Sequence, residues 1–289
     1  MDNRQYGAVV TGGASGIGRA IAEELAARGI AVVLADVDLE RAEGAAREIG
    51  GRACAAHCDV TDPASVDALV AVSERLVGPV GLVFANAGVS AGGPLLQSRT
   101  EEFDFVFAVN VRGTWCTLAA FARRMIEQGI EGGLCVTGSE HSIGMQHAGL
   151  GFYTASKHAV LGLADVLRAE LPPAISISVL CPGIVATDLN RSKRNSSLPP
   201  DDAQTLAFGD LVMSMGKPAA EIAMRAVDGV LAGEFLIPTH AHSIRPAEKR
   251  WGEIKDAWGR LAPWHEGAEA YEMDSLLARA VALAHQKGE

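Results

Sequence analysis

An apolar run, Ala8 to Val10, passes through Thr11-Gly12-Gly13-Ala14-Ser15-Gly16-Ile17-Gly18 straight into an amphipathic segment. Glycines 12, 16 and 18 in that setting mark a strand that turns sharply into a helix. Such a turn brings backbone close to a ligand and offers it the unpaired N–H groups of the helix's first turn. It predicts a phosphate cradle and therefore a nucleotide, with Gly12, Ser15, Gly16, Ile17 and Gly18 as its contacting residues. The spacing departs from G-x-G-x-x-G, and a tight turn alone would also use glycine, so a nucleotide is implied only if the downstream elements fit one.

Ile17, Ala20, Ile21 and Leu25 recur at helical spacing, and Gly29 ends that helix before the apolar run Ala31 to Ala35, which Asp36 closes. A carboxylate at the end of a second strand accepts hydrogen bonds from an adenosine ribose and repels a 2'-phosphate, which argues for NAD over NADP. The plainer alternative makes Asp36 a solvated turn residue, and Arg19 and Arg28 are the nearest cations to soften its preference.

The alternation continues. Ala53 to Cys58 reads as a third strand, Asp62-Pro63 as the cap and first residue of a helix through Leu76, and Val80 to Ala85 as a fourth strand. Ser98-x-x-Glu101 has the form of a capping box, followed by one helix from Phe103 to Gln128 with Phe107, Val111, Trp115, Leu118 and Phe121 on a single face. Leu134 to Thr137, Ile175 to Leu180 and Phe235 to Ile237 complete about seven strands, with a helix over Tyr153 to Leu171 stopped by Pro172-Pro173. Repeated β-α-β units with continuously apolar strands predict an α/β, doubly wound parallel sheet with helices on both faces. With 289 residues, 48% of them hydrophobic, we expect one domain over 1–289, residues from about 240 to 289 forming a C-terminal helical extension.

The 25 basic and 35 acidic residues give a formal charge of -10, and the only basic cluster is the short stretch from Arg191 to Arg194, so a nucleic-acid partner is not expected. Cysteines 54, 58, 116, 135 and 181 have no C-x-x-C spacing, and four of them fall in or beside apolar elements, as buried free thiols do. No metal ligand set, signal peptide or membrane-spanning run is read, and a cytoplasmic location is the expectation.

Polar residues gather where the sheet would present its carboxyl edge: Asp59 after strand three, Asn86-Ala87-Gly88 after strand four, Ser139 after strand five and Pro182-Gly183 after strand six, with Asn110 inside the long helix. Each alone has an ordinary explanation as a turn or helix residue. Tyr153 and Lys157 then stand at i and i+4 on one helix, which puts a phenol beside an ammonium. A free phenol titrates near pH ~10, so a tyrosine base at neutral pH needs roughly 4 kcal/mol of help. An ammonium ~4 Å away supplies about that much at an effective dielectric of about 20.

The ordered set T-G-x-x-x-G-I-G, Asp36, Asp59-Val60, N-A-G, Asn110, Y-x-x-x-K and P-G-x-x-x-T resembles the short-chain dehydrogenase/reductase family over about residues 5 to 240. The resemblance implies a Rossmann-type fold, a nicotinamide dinucleotide and hydride transfer between a secondary alcohol and a ketone. It implies Tyr153 as general acid/base, Lys157 lowering its pKa and holding the nicotinamide ribose, and Asn110 positioning a water. Asp59 and Val60 would meet the adenine, Asn86, Ala87 and Gly88 the adenosine ribose side, and Pro182, Gly183, Val185 and Thr187 the carboxamide side. Members are commonly homodimers or homotetramers.

One position departs from the pattern. The family places a carbonyl-polarising Ser thirteen residues before the Tyr, where this chain has Glu140, with Ser139 and Ser142 alongside. Ser139 is favoured because a neutral hydroxyl donates to a developing alkoxide that an ionised carboxylate repels; Glu140 and Ser142 stay open. Glu140 and His141 are also candidates for holding a polar substrate group, although His141 and His147 read more simply as exposed loop residues. Asn190 to Ala203 reads as a mobile loop over the substrate. The stripe Trp251, Ile254, Trp258 and Leu261 needs a partner: core packing is the simplest expectation, a roof over the substrate pocket or a face toward another subunit the alternatives. Phe235-Leu-Ile-Pro before a charged helix resembles bacterial members that oxidise bulky aryl secondary alcohols. An NADPH-dependent ketone reductase and a non-catalytic NAD-binding module are the alternatives.

Overall fold

Residues 6–91 and 93–286 are described by a computed structural model in which seven strands pair in one sheet. They are Gly7–Thr11 (β1), Val32–Asp36 (β2), Ala53–His57 (β3), Val80–Ala85 (β4), Gly132–Thr137 (β5), Ile175–Cys181 (β6) and Leu236–Pro238 (β7). All pairs are parallel, in the order β3-β2-β1-β4-β5-β6-β7. The order reverses between β1 and β4, and at such a switch point the two connections leave on opposite sides and open a crevice over the strands' carboxyl ends.

Burial on both faces explains the apolar runs. Along β1, Val9 enters one core with Leu69, Leu118, Phe121 and Val160, while Ala8 and Val10 enter the other with Ile21, Leu25, Ile222 and Val227. The first core is covered by helices Pro63–Val77 (α3), Thr114–Gln128 (α5) and Gly151–Glu170 (α7), the second by Gly16–Ala27 (α1), Leu39–Ile49 (α2) and Ala219–Ala232 (α9). Asp62 caps α3 by accepting from the Ala64 N–H, with Pro63 at the first helical position, as the sequence predicts. Cys58, Cys116, Cys135 and Cys181 are buried free thiols, and Cys54 is partly buried.

Two helical expectations are corrected. The capping box shifts by one residue: Glu102 accepts from the Arg99 N–H at 3.0 Å, and the helix Thr100–Phe107 (α4) starts there. The expected single helix is interrupted by a π-helical turn, Ala108–Gly113, before α5 resumes. Each π turn inserts backbone and rotates the following face. Leu118 and Phe121 are therefore buried while Trp115 is 48% exposed. By length and composition Thr100–Gln128 would suffice to cross a membrane; here more than half of its apolar window is buried.

Residue contacts divide the chain into two compact units, 1–244 and 245–289. In the stretch expected to be a loop over the substrate, Leu189–Asn195 forms a 3-10 segment, residues 196–202 carry no helix or strand, and a further helix, Ala203–Ser214 (α8), follows. The second unit begins within Ile244–Leu261 (α10) and ends with Met273–Gln286 (α11). Helix α10 buries none of its residues, and Trp251 and Trp258 are both exposed.

Candidate active site

At the end of β1 the chain reverses through Gly16, whose φ of 56° is open to glycine at little cost. Two residues on, a Cβ at Gly18 would lie 2.2 Å from the Gly12 carbonyl oxygen and 2.5 Å from Asn86 Nδ2. Any side chain there would push the turn off the sheet. The Ala14 N–H donates to Asp36 Oδ2 and the Asp38 N–H to Oδ1, both at 3.1 Å, so the Asp36 carboxylate is fixed against the turn. Asn86 joins three strand ends: Nδ2 donates to the Thr11 carbonyl at 3.1 Å, and Oδ1 accepts from Thr137 Oγ1 at 3.1 Å. Asp59 accepts from the Thr61 N–H and hydroxyl, which closes the loop after β3.

One cavity of about 930 Å³ runs along this edge. Gly12, Ser15, Gly16, Ile17, Asp36, Asp59, Val60, Asn86, Ala87 and Gly88 line one part of it. Ser139, Glu140, His141, Tyr153, Lys157, Pro182, Gly183, Val185 and Thr187 also line it. Gly18 and Asn110 do not reach its surface. Gly18 acts through packing. Asn110, fully buried in the π turn, accepts from the Val89 N–H at 2.8 Å and donates to the Val89 carbonyl at 2.9 Å and Ser156 Oγ at 3.0 Å. Ser156 in turn donates to the Tyr153 carbonyl at 2.7 Å, so Asn110 links the loop after β4 to the turn of α7 that carries the phenol.

Replacing Asn110 by Ala would leave Val89 without partners for its backbone groups and Ser156 without its donor, each buried unmet group costing about 1–3 kcal/mol. We expect a clear drop in the urea midpoint together with reduced turnover. An unchanged midpoint would mean that the side chain does not hold the wall.

The Tyr153 end is shaped by a short helix, Glu140–Ile143 (α6). Ser139 caps it: its Oγ accepts from the His141 N–H at 3.2 Å and donates to the Pro182 carbonyl at 3.5 Å. Ser142 closes the cap, accepting from the Ser139 N–H and donating to the Lys157 carbonyl at 2.7 Å. Its hydroxyl ties α6 to α7 and lies outside the cavity lining. Burial pushes the Tyr153 phenol up from its ordinary value, a hydrogen bond with Ser139 opposes that rise, and the Glu140 charge adds to it.

The i, i+4 spacing sets the Lys157 ammonium over the Tyr153 ring. Lys157 Nζ lies 5.6 Å from the Tyr153 ring centroid and donates to the Thr137 carbonyl at 2.7 Å. Burial brings Lys157 down to about 8, Cys181 opposing.

His141 is 5% exposed, not a solvated loop residue; His147 is exposed but lines the cavity. His141 Nδ1 lies 2.8 Å from Thr154 Oγ1 and its ring meets the Tyr153 ring edge-on, the centroids 5.4 Å apart. Burial, with His147, His158 and Lys157 nearby, pushes it down to about 4, so it is neutral in ordinary buffers.

The sequence reading missed the two histidines after β7. The Gly183 N–H donates to His240 Nδ1 at 3.0 Å, and His242 Nε2 lies 2.8 Å from Glu140 Oε2. Nothing in the spacing of His240-Ala241-His242 points to Glu140, because the contact crosses from β7 to the loop after β5. Phe208, Val212 and Met213 of α8 also line the cavity, on a helix where the sequence reads as a variable loop.

Over residues 7–197 the chain matches the family model described as short chain dehydrogenase. A 1-deoxy-11-beta-hydroxypentalenate dehydrogenase from Streptomyces avermitilis is 38% identical over 266 residues, 88% of this chain and 91% of that protein. A sorbitol dehydrogenase from Cereibacter sphaeroides is 37% identical over 179 residues, 62% of this chain and 70% of the other. A short-chain dehydrogenase/reductase from Burkholderia phymatum, solved in complex with NAD, superposes with a TM-score of 0.81 at 30% identity, covering 90% of this chain and 98% of that one. With the parallel sheet, its switch-point cavity and a sequence match running from β1 past β6, the chain belongs to the short-chain dehydrogenase/reductase family of oxidoreductases.

Proposed function

We propose that this protein transfers a hydride between NAD(H) and a bulky, largely apolar secondary alcohol or its ketone, with Tyr153 as the general acid/base. The observation that carries the reading is the continuity of one cavity from the glycine turn to the Ser139–Tyr153 pair. A dinucleotide fits the residues present: the turn admits no side chain at Gly18, Ser15 and Gly16 open onto the cavity at the start of α1, and Asp36 is held at the same edge. When bound, nicotinamide supplies the hydride acceptor in oxidation and the donor in reduction.

The chain's own residues handle the proton. In oxidation the carbinol C–H leaves as hydride, the O–H proton passes to the Tyr153 phenolate, and the C=O bond forms. In reduction the Tyr153 phenol returns that proton to the alkoxide. The Ser139 hydroxyl donates to the substrate oxygen, where negative charge is greatest. Lys157, while charged, favours the phenolate and offers a donor to a ribose hydroxyl. Asn110 is a positioning residue, acting through Val89 and Ser156. The apolar side chains of α8, with Leu150 and Leu198, suit a bulky substrate body.

The preference for NAD rests on Asp36. Its fixed carboxylate repels a 2'-phosphate, so Asp36→Ala should shift the ratio of kcat/KM for NAD over NADP toward NADP. Absorbance at 340 nm with secondary alcohols and ketones, using both cofactors, tests the reading and the variant together. An unchanged ratio would place Asp36 out of reach of the ribose. Cofactor binding without turnover on any alcohol or ketone would favour the non-catalytic module.

A further inference from the structure

Glu140 is 4% exposed and lines the cavity one residue from Ser139. Among the described residues no aligned hydrogen bond reaches its Oε2, although His242 Nε2 stands 2.8 Å away. Gly183 makes room for the carboxylate: a Cβ there would lie 3.0 Å from Oε2 and 2.9 Å from His240 Cγ. A buried carboxylate with an unmet acceptor is costly unless a donor arrives with the ligand. Beside it stands a neutral imidazole, His141, whose Nδ1 is engaged by Thr154.

The far wall is different in kind. Helix α8 buries none of its residues, yet Phe208, Val212 and Met213 face the cavity, Phe208 with 69% of its surface exposed. An apolar helix face left open toward a cavity is completed by an apolar ligand body.

Building on the hydride-transfer reading, we propose that the substrate is a vicinal diol or the matching hydroxyketone: a carbinol at Ser139 and Tyr153, a second hydroxyl on the adjacent carbon donating to Glu140, and an apolar body against α8. A hydroxyl is favoured over an ammonium because the carboxylate already faces His242, and Lys157 stands at the same end of the cavity. An ammonium would add charge beside the Lys157 amine and crowd the His242 ring, whereas a neutral O–H donates without adding charge. A hydrogen bond to a charged acceptor carries about 10- to 100-fold in affinity.

The test is calorimetric binding to the enzyme holding NADH, where the alcohols bind without being oxidised. Three probes are compared: 1-phenyl-1,2-ethanediol, 1-phenylethanol and 2-amino-1-phenylethanol. The diol should bind about 10- to 100-fold more tightly than 1-phenylethanol. In Glu140→Met that ratio should collapse toward one, and Glu140→Gln, which keeps an acceptor oxygen, should retain part of it. A wild-type ratio near one, failure of all three probes to bind, tighter binding of the amino alcohol, or a full ratio in Glu140→Met would each overturn the proposal. The ratio is read without turnover, so lack of oxidation by NAD would count against hydride transfer alone, and the binding ratios would still decide the role of Glu140.

Discussion

Tyr153→Phe should lose about 10²–10⁴-fold in hydride transfer while NAD affinity stays within a few-fold, because the substitution removes one ionisable oxygen and leaves the ring in place. That ring packs edge-on against His141, and its backbone carbonyl still accepts from Ser156, so the wall of the site is kept. The wild-type pH dependence has a defined sign. Burial raises the phenol, which disfavours the phenolate needed for alcohol oxidation, so the oxidation rate rises with pH as Tyr153 loses its proton. Ketone reduction needs the phenol and falls over the same range. Lys157, brought down to about 8 by burial, loses its charge as the pH rises through that value. Opposite slopes for the two directions, absent in Tyr153→Phe, are the expected signature.

Ser139→Ala should cost about 10²–10³-fold in the chemical step, the scale of losing one donor to a developing oxyanion. The three residues left open by the family pattern differ in the structure. Ser142 donates to the Lys157 carbonyl at 2.7 Å outside the cavity lining, Glu140 faces His242, and the Ser139 hydroxyl, held by the Pro182 carbonyl at a long 3.5 Å, lines the cavity with Tyr153. Ser139 also caps α6, so its removal should lower stability by about 1 kcal/mol, which a melting curve separates from the kinetic loss. Ser142→Ala should loosen α6 without an oxyanion-type penalty. Near-wild-type single-turnover rates in Ser139→Ala would move the polarising role to Glu140.

The strands and the glycine turn were legible in the sequence because a doubly covered parallel sheet demands apolar runs, and a strand turning onto a helix under a phosphate demands glycine at fixed places. Val80–Ala85 was read to the residue for that reason. Asn110 stands out in the sequence as a landmark but not as what it is: its partners Val89 and Ser156 are 21 and 46 residues away, and the π turn that carries it has no composition signal. Helix α8 was hidden because its apolar face packs on no core. Phe208, Val212 and Met213 share no obvious pattern with a polar face, and what they line is a cavity. His242 was invisible for a related reason, its contact with Glu140 being made between two sheet-edge loops 102 residues apart.

The central claim is that Tyr153 moves the proton while hydride passes between NAD and a secondary carbinol carbon. Single-turnover absorbance at 340 nm, with NAD and a secondary alcohol that the wild type oxidises, compares the wild type and Tyr153→Phe on equal footing. The account predicts a rise in the wild type that steepens with pH and is nearly absent in Tyr153→Phe at equal cofactor occupancy. A Tyr153→Phe trace that overlays the wild type at every pH would contradict it.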